Sequence, residues 1–280
     1  MSGSSALVTT EWLSNNIDDP SVRVFDSSWH MPALGRAPEA EFAASHIPGT
    51  LFFDIDEISD LDNSLPHMMP SAEKMASRLR QFGVNNTDHI VIYDNSTGNS
   101  ATRGWYMFKS FGHNKVSVLD GGLPKWLAEG RPTTTDLPIF MNSHYRAEKD
   151  ENATRTVEQV IDNISTGHEQ VIDARSKGRF YGTEPEPREG LKSGRIPGSF
   201  NVPFNVLINE DKTFKKPEEI RAIFDAGGVD LNKPVVTSCG SGMTACVLLF
   251  ALHLIGKNDC TLYDGSWTDW GSHPDTPVEK

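Results

Sequence analysis

The residues with the clearest chemical potential are Cys239-Gly240-Ser241-Gly242-Met243, which follow the β-branched stretch Val235-Val236-Thr237 and precede an apolar segment, 244–255, ended by Gly256. A strand that passes through a Gly-rich turn into a helix aims backbone N–H groups, and the positive end of the helix, at the residue opening the turn. Such a setting favours a cysteine as the thiolate, the form that acts as a nucleophile. Cys239 is therefore the candidate nucleophile; the alternative is a buried cysteine that packs at a strand end. Spacing narrows the chemistry further. A phosphatase loop needs an arginine six positions after its cysteine, where Ala245 stands, and a thioredoxin-type dithiol needs a second cysteine where Gly242 stands. No papain-like or caspase-like signature surrounds Cys239. Cys246 and Cys260 read as core residues, and three cysteines with these spacings build neither a disulfide framework nor a zinc site. A reducing compartment and at most one working thiol are implied.

The elements that must position this loop occur twice. VRVFD at 22–26 resembles QVIDA at 170–174, and His46-Ile47-Pro48-Gly49-Thr50 resembles Arg195-Ile196-Pro197-Gly198-Ser199. The apolar run before Asp94 matches the run before Cys239, and Leu119-Asp120-Gly121-Gly122 with Trp126 matches Tyr263-Asp264-Gly265-Ser266 with Trp270. Four collinear matches at offsets of 144 to 149 residues define an internal repeat. Within each copy short apolar runs alternate with helical patterns, as at 70–82 then 90–93, and at 217–224 then 234–237. Pro217 with Glu218 and Glu219 suits the first turn of a helix. The alternation predicts an α/β protein of two tandem domains, each a mainly parallel sheet flanked by helices. The boundaries fall at 1–135 for a domain with Asp94 in place of the cysteine, 136–152 for a linker with Pro138 and mixed charges without periodicity, and 153–280 for the catalytic domain.

Composition excludes several functions. The net charge of −12 disfavours a broad footprint for nucleic acid or anionic lipid, so an anionic substrate would need a local arginine cluster. No apolar run is long enough to span a membrane, and residues 1–11 have neither the basic start nor the apolar stretch of an export signal. A cytoplasmic protein with no nucleic-acid or membrane partner is expected.

The loop 239–244, the later Tyr263-Asp264-Gly265-Ser266-Trp267 and the repeated Ile-Pro-Gly element resemble those of the tandem-domain rhodaneses, over about residues 8–271. Within that family the loop is similar to the CGSGVT pattern of the 3-mercaptopyruvate sulfurtransferases, with Met243 where valine is usual. The resemblance implies that the second domain carries sulfur as a Cys239 persulfide from 3-mercaptopyruvate to a thiol or cyanide acceptor, thioredoxin being one such thiol, and releases pyruvate. It implies a monomer without metal or organic cofactor. It also implies that Arg179 and Arg188 bind the substrate carboxylate and keto oxygen, while Gly240, Gly242, Met243 and Thr244 complete the binding loop. Asp56, His67 and Ser241 would form a proton relay beside Cys239, placing the site at the domain interface. Histidine and serine suit a relay because one titrates near neutrality and the other passes a proton while uncharged.

Thiosulfate-using relatives resemble CRKGVT, with two cations where Gly240 and Ser241 stand. A neutral loop lacks direct compensation for a dianion, whereas an arginine fork can meet a single carboxylate, so mercaptopyruvate is the expected donor. The competing readings are a thiosulfate sulfurtransferase and a persulfide carrier that receives sulfur from a partner and turns over neither donor. Trp105, Trp126, Trp267 and Trp270 are expected to pack, Trp29 to border the pocket, and Asp173 and Asp264 to serve structure.

Overall fold

In the computed structural model, described over residues 5–280, the chain forms two compact units. The first comprises the described part of Met1–Asp60 with Met69–Asp150 and Asn209–Phe214; the second comprises Leu61–Met68, Glu151–Ile208 and Lys215–Lys280. Residues 1–4, part of the segment read as lacking an export signal, lie outside the described residues.

Each unit is built on one five-stranded parallel sheet. In the first, β1 (Leu7–Val8), β2 (Val22–Asp26), β3 (Thr50–Phe52), β4 (His89–Tyr93) and β5 (Val116–Leu119) lie in the order β1-β5-β4-β2-β3. In the second, β6 (Thr154–Arg155), β7 (Gln170–Asp173), β8 (Phe200–Asn201), β9 (Val235–Ser238) and β10 (Cys260–Tyr263) repeat that order as β6-β10-β9-β7-β8. The repeat in the sequence is thus a repeat of topology. The central strands β4 and β9 are buried throughout, because helices cover both faces of such a sheet and every side chain must be accommodated inside. Register sets Asp26 beside Tyr93 and Asp173 beside Ser238, so the loops that leave β4 and β9 start next to carboxylates at the carboxyl ends of the strands. In open parallel sheets those ends border the ligand crevice.

Flanking helices follow their sequence signals. Pro217 opens the helix Pro217–Ala226, with Glu218 and Glu219 in its first turn. Thr156 and Gln159 close a reciprocal capping box on the helix Val157–Thr166. The helix Ala245–Leu254 is apolar on all sides and buried accordingly. The four tryptophans expected to pack are buried, and two do so equivalently: Trp126 Nε1 donates to Pro132 O at 2.8 Å and Trp270 Nε1 to Pro277 O at 2.9 Å.

The segment following the first copy is tied to the first unit. Residue 134 forms a bridge with His46, Ser143 donates its backbone N–H to Arg80 O at 3.1 Å, and the fully buried Tyr145 meets the His113 ring at 3.1 Å through its hydroxyl. An isolated Tyr and scattered backbone donors carry no periodicity, which is why this strap reads as a surface linker in the sequence. Two further short segments exchange units relative to their chain order, 61–68 and 209–214.

Beside β4, burial pushes the Asp26 carboxyl up to about 6, with Asp94 adding to the rise and the Ser28 hydrogen bonds opposing it. A carboxyl whose folded value is raised favours folding when protonated, and that contribution is lost as the pH rises from about 4 to about 6. Asp26→Asn keeps an acceptor for the Ser28 N–H and carries no charge. It should melt above the wild type at pH near 8, with the gap narrowing as melts are run toward pH near 4; a pH-independent gap would contradict the assignment.

Candidate active site

Cys239 follows β9 directly and is buried. Its loop is held from one side by Ser266, whose Oγ accepts the N–H groups of Cys239 and Gly242, each at 3.1 Å, and donates to Tyr263 O at 2.8 Å. The carbonyls of the loop are held as firmly: Cys239 O accepts from Trp267 N–H at 3.0 Å, and Gly240 O accepts from the N–H and hydroxyl of Thr268 at 2.8 and 2.7 Å. Gly242 takes φ of 77°, a left-handed conformation that glycine adopts without strain. Ser266 itself sits at φ of 50°, where a side chain is uncommon, and its buried hydroxyl is what that conformation delivers to the loop. The N–H groups of Gly240, Ser241, Met243 and Thr244 have no partner among the described residues, so the loop offers several donors to an anion or a bound sulfur.

The first unit shows what the same loop does without a thiol. Asp94 stands after β4 as Cys239 stands after β9, and its carbonyl accepts from Leu123 N–H at 3.0 Å as that of Cys239 does from Trp267. The Asp94 carboxylate bonds its own loop, accepting from Ser96 N–H at 2.8 Å, Ser96 Oγ at 2.9 Å and Ala101 N–H at 2.7 Å. Where the second unit has Ser266, the first has Gly122, and a Cβ there would lie 2.4 Å from Asp94 O. One loop is closed by an internal carboxylate, the other by a neutral hydroxyl.

Arg179 ends next to the Cys239 loop. An added Cβ on Gly240 would lie 3.1 Å from Arg179 Nη2, so the guanidinium sits close against this glycine. Arg179 lies in the helix Lys177–Phe180, capped by Ser176, and the following turn folds back through Thr183 N–H and Glu184 N–H to Gly178 O. Its counterion is Glu186, which also pairs with the buried Arg175. Arg175 in turn grips Asp173 and lies 4.0 Å over the Trp267 ring. Asp173 thus has the structural role expected of it. Arg188 is half-buried in the same Pro-rich loop.

The remaining predicted residues distribute as follows. Ser241 and Met243 are buried and Thr244 is half-buried. His67 is buried and belongs to the compact unit that holds Cys239, through the exchanged segment 61–68, rather than to the unit of the first copy. Asp56 belongs to the first unit, where Trp29 Nε1 donates to its carboxylate at 2.9 Å. Cys246 bonds Gly242 O from inside the helix, and burial pushes the Cys260 thiol up to about 12, leaving it protonated. Sequence reasoning missed Ser266, Arg175 and Glu186. The exchange of Gly122 for Ser266 between the copies was the available signal for the first; the other two had none.

Two α/β units with the same strand order and a Gly-rich cysteine loop after the central strand of one define a tandem-domain architecture with a single thiol site. Residues 9–129 and 156–273 match the family described as Rhodanese-like domain. The chain is 43% identical over 271 residues to human 3-mercaptopyruvate sulfurtransferase, covering 95% of this chain and 91% of that protein. It is 41% identical over 284 residues to the thiosulfate sulfurtransferase of Cricetulus griseus, covering 98% and 95%. Among solved structures it is similar to SseA from Escherichia coli, presented with the rhodanese fold and mechanism of 3-mercaptopyruvate sulfotransferases, at TM-score 0.86 and 36% identity over 94% of this chain and 99% of that one. The chain belongs to the rhodanese family, with two rhodanese domains.

The Ser266 hydroxyl is a test of the loop geometry. Leaving buried N–H groups without an acceptor costs ~1–3 kcal/mol apiece, so Ser266→Ala should lower stability by on the order of 2–4 kcal/mol in denaturant titrations. Ser266→Gly, which relaxes the positive φ but also lacks the hydroxyl, should recover part of that loss. Wild-type stability in Ser266→Ala would show that the hydroxyl does not anchor the loop.

Proposed function

We propose that this protein is a 3-mercaptopyruvate sulfurtransferase that carries sulfur as a Cys239 persulfide. The observation that carries the reading is the approach of the Arg179 guanidinium to Gly240 at the head of an uncharged loop. A fixed arginine fork beside the thiol suits a donor with one carboxylate, and the loop itself adds no cation for a second charge. Relatives named for mercaptopyruvate and for thiosulfate stand at nearly the same identity, so identity does not choose the donor and the loop chemistry must.

In the first half-reaction the Cys239 thiolate attacks the donor sulfur. The S–S bond forms as the C–S bond breaks, and the electron pair passes to the donor carbon as the enolate of pyruvate. Arg179 and Arg188 bind the carboxylate and keto oxygen, and the charge developing on that oxygen is what the guanidinium stabilises. Protonation of the enolate carbon completes pyruvate. Ser241 and His67 serve as the proton carriers, supported by burial of both within the unit of Cys239. In the second half-reaction an acceptor thiolate, such as that of thioredoxin, attacks the outer sulfur and restores Cys239; cyanide accepts the same sulfur. The loop N–H groups stabilise the anionic persulfide between the halves. We place the protein in the cytoplasm as a monomer. Three free thiols suit a reducing compartment, and among the described residues no helix is long and apolar enough to cross a membrane.

Turnover measured side by side with a dithiol acceptor should give a kcat/KM at least about tenfold higher for 3-mercaptopyruvate than for thiosulfate. Cys239→Ser should abolish transfer from either. Preference for thiosulfate would overturn the donor assignment, activity in Cys239→Ser would overturn the nucleophile, and a sulfur adduct without turnover would favour the carrier.

A further inference from the structure

We propose that Glu186 is a positioning residue that aims Arg179 at the donor; this deepens the donor reading above and rests on it. The Glu186 side chain is 3% exposed, and both of its oxygens are committed to guanidinium groups. Oε1 accepts from Arg175 Nη1 at 2.7 Å, while Oε2 accepts from Arg179 Nη2 at 2.6 Å and from Nε at 3.1 Å. A carboxylate taken out of water in this way persists only when paired.

The two arginines differ in what they have left to offer. Arg175 is spent on structure: Nε and Nη2 grip Asp173, Nη2 also donates to Gly194 O at 2.9 Å, and the guanidinium plane covers the Trp267 ring. It is therefore a rigid post, and through it Glu186 is fixed to the end of β7. Arg179 is 22% exposed and engaged by Glu186 along its Nε edge, leaving the end-on edge to face Gly240. Nη1 makes no hydrogen bond among the described residues, and Nη2 keeps a second proton. That end-on pair is the fork that a carboxylate accepts.

Glu186 thus selects which edge of Arg179 meets the donor. It also balances the cluster, since Asp173 and Glu186 offset Arg175 and Arg179 and leave a directed donor pair rather than a general positive field. A long side chain on a four-residue helix would otherwise distribute over several rotamers. The sequence hides this role, because an acid between two prolines reads as a solvated loop charge.

The test uses Glu186→Gln in the full chain, with Glu186→Asp as the variant that keeps the charge but shortens the reach. For Glu186→Gln, KM for 3-mercaptopyruvate should rise about tenfold or more with a smaller fall in kcat, and Glu186→Asp should recover part of it. Cys239 loaded chemically with inorganic polysulfide should discharge to dithiothreitol at the wild-type rate, which a general disruption of the loop would not allow. If Glu186→Gln fails to fold, Glu186→Asp carries the test by the same two readouts. Unchanged KM, or equal losses in donor use and discharge, would overturn the positioning role. Absence of turnover in the wild type would instead defeat the donor reading.

Discussion

The Cys239 loop depends on one demand: the N–H groups of Cys239 and Gly242 must find an acceptor that leaves the other loop N–H groups open. Buried amides left without one are expensive, and the backbone of a tight turn does not supply the acceptor, so a side chain must. The two units meet the demand differently. After β4 the Asp94 carboxylate takes the N–H groups of Ser96 and Ala101, so the residue opening the loop also closes it. After β9 the acceptor is Ser266 Oγ, supplied from the segment after β10, which leaves the loop-opening position free for a thiol. The exchange of Asp94 and Gly122 for Cys239 and Ser266 is a coupled one: the carboxylate needs no hydroxyl, and a Cβ at Gly122 would strike the Asp94 carbonyl.

Electrostatics follow from the same economy. The protein carries a net charge of −12, an unfavourable field for any anion, yet the site concentrates cations through ion pairs rather than through a basic patch. Arg175 is consumed by Asp173 and Glu186, and Arg179 is held by one edge. That guanidinium lies close against Gly240.

Much of this was legible in the sequence, for identifiable reasons. The repeat announces itself because both copies keep the strand-end acids and the turn glycines, and the identical strand order follows from that repetition. Cys239 stands out because a β-branched run, three glycine-spaced positions and an apolar helix each have local signals. Trp126 and Trp270 could be read as packing residues because each sits at the same distance after a strand. Illegible were features that exist only through tertiary packing. The strap carrying Tyr145 shows no periodicity, and its attachment is made by scattered hydrogen bonds to Arg80, Asn86, Phe111 and His113. Glu186 looks like any surface acid until Arg175 is seen buried beneath it. His67 appears in the first copy by chain order, and only the fold assigns segment 61–68 to the unit of Cys239.

In the proposed mechanism the thiol following β9 accepts sulfur directly from the donor. The test mixes the protein with one equivalent of 3-mercaptopyruvate and no acceptor, follows pyruvate release, and locates the added sulfur to a single cysteine by peptide fragmentation. One pyruvate per chain is expected, with one sulfur atom gained on Cys239. Sulfur on Cys246 or Cys260, or pyruvate released with no sulfur retained on the protein, would contradict it.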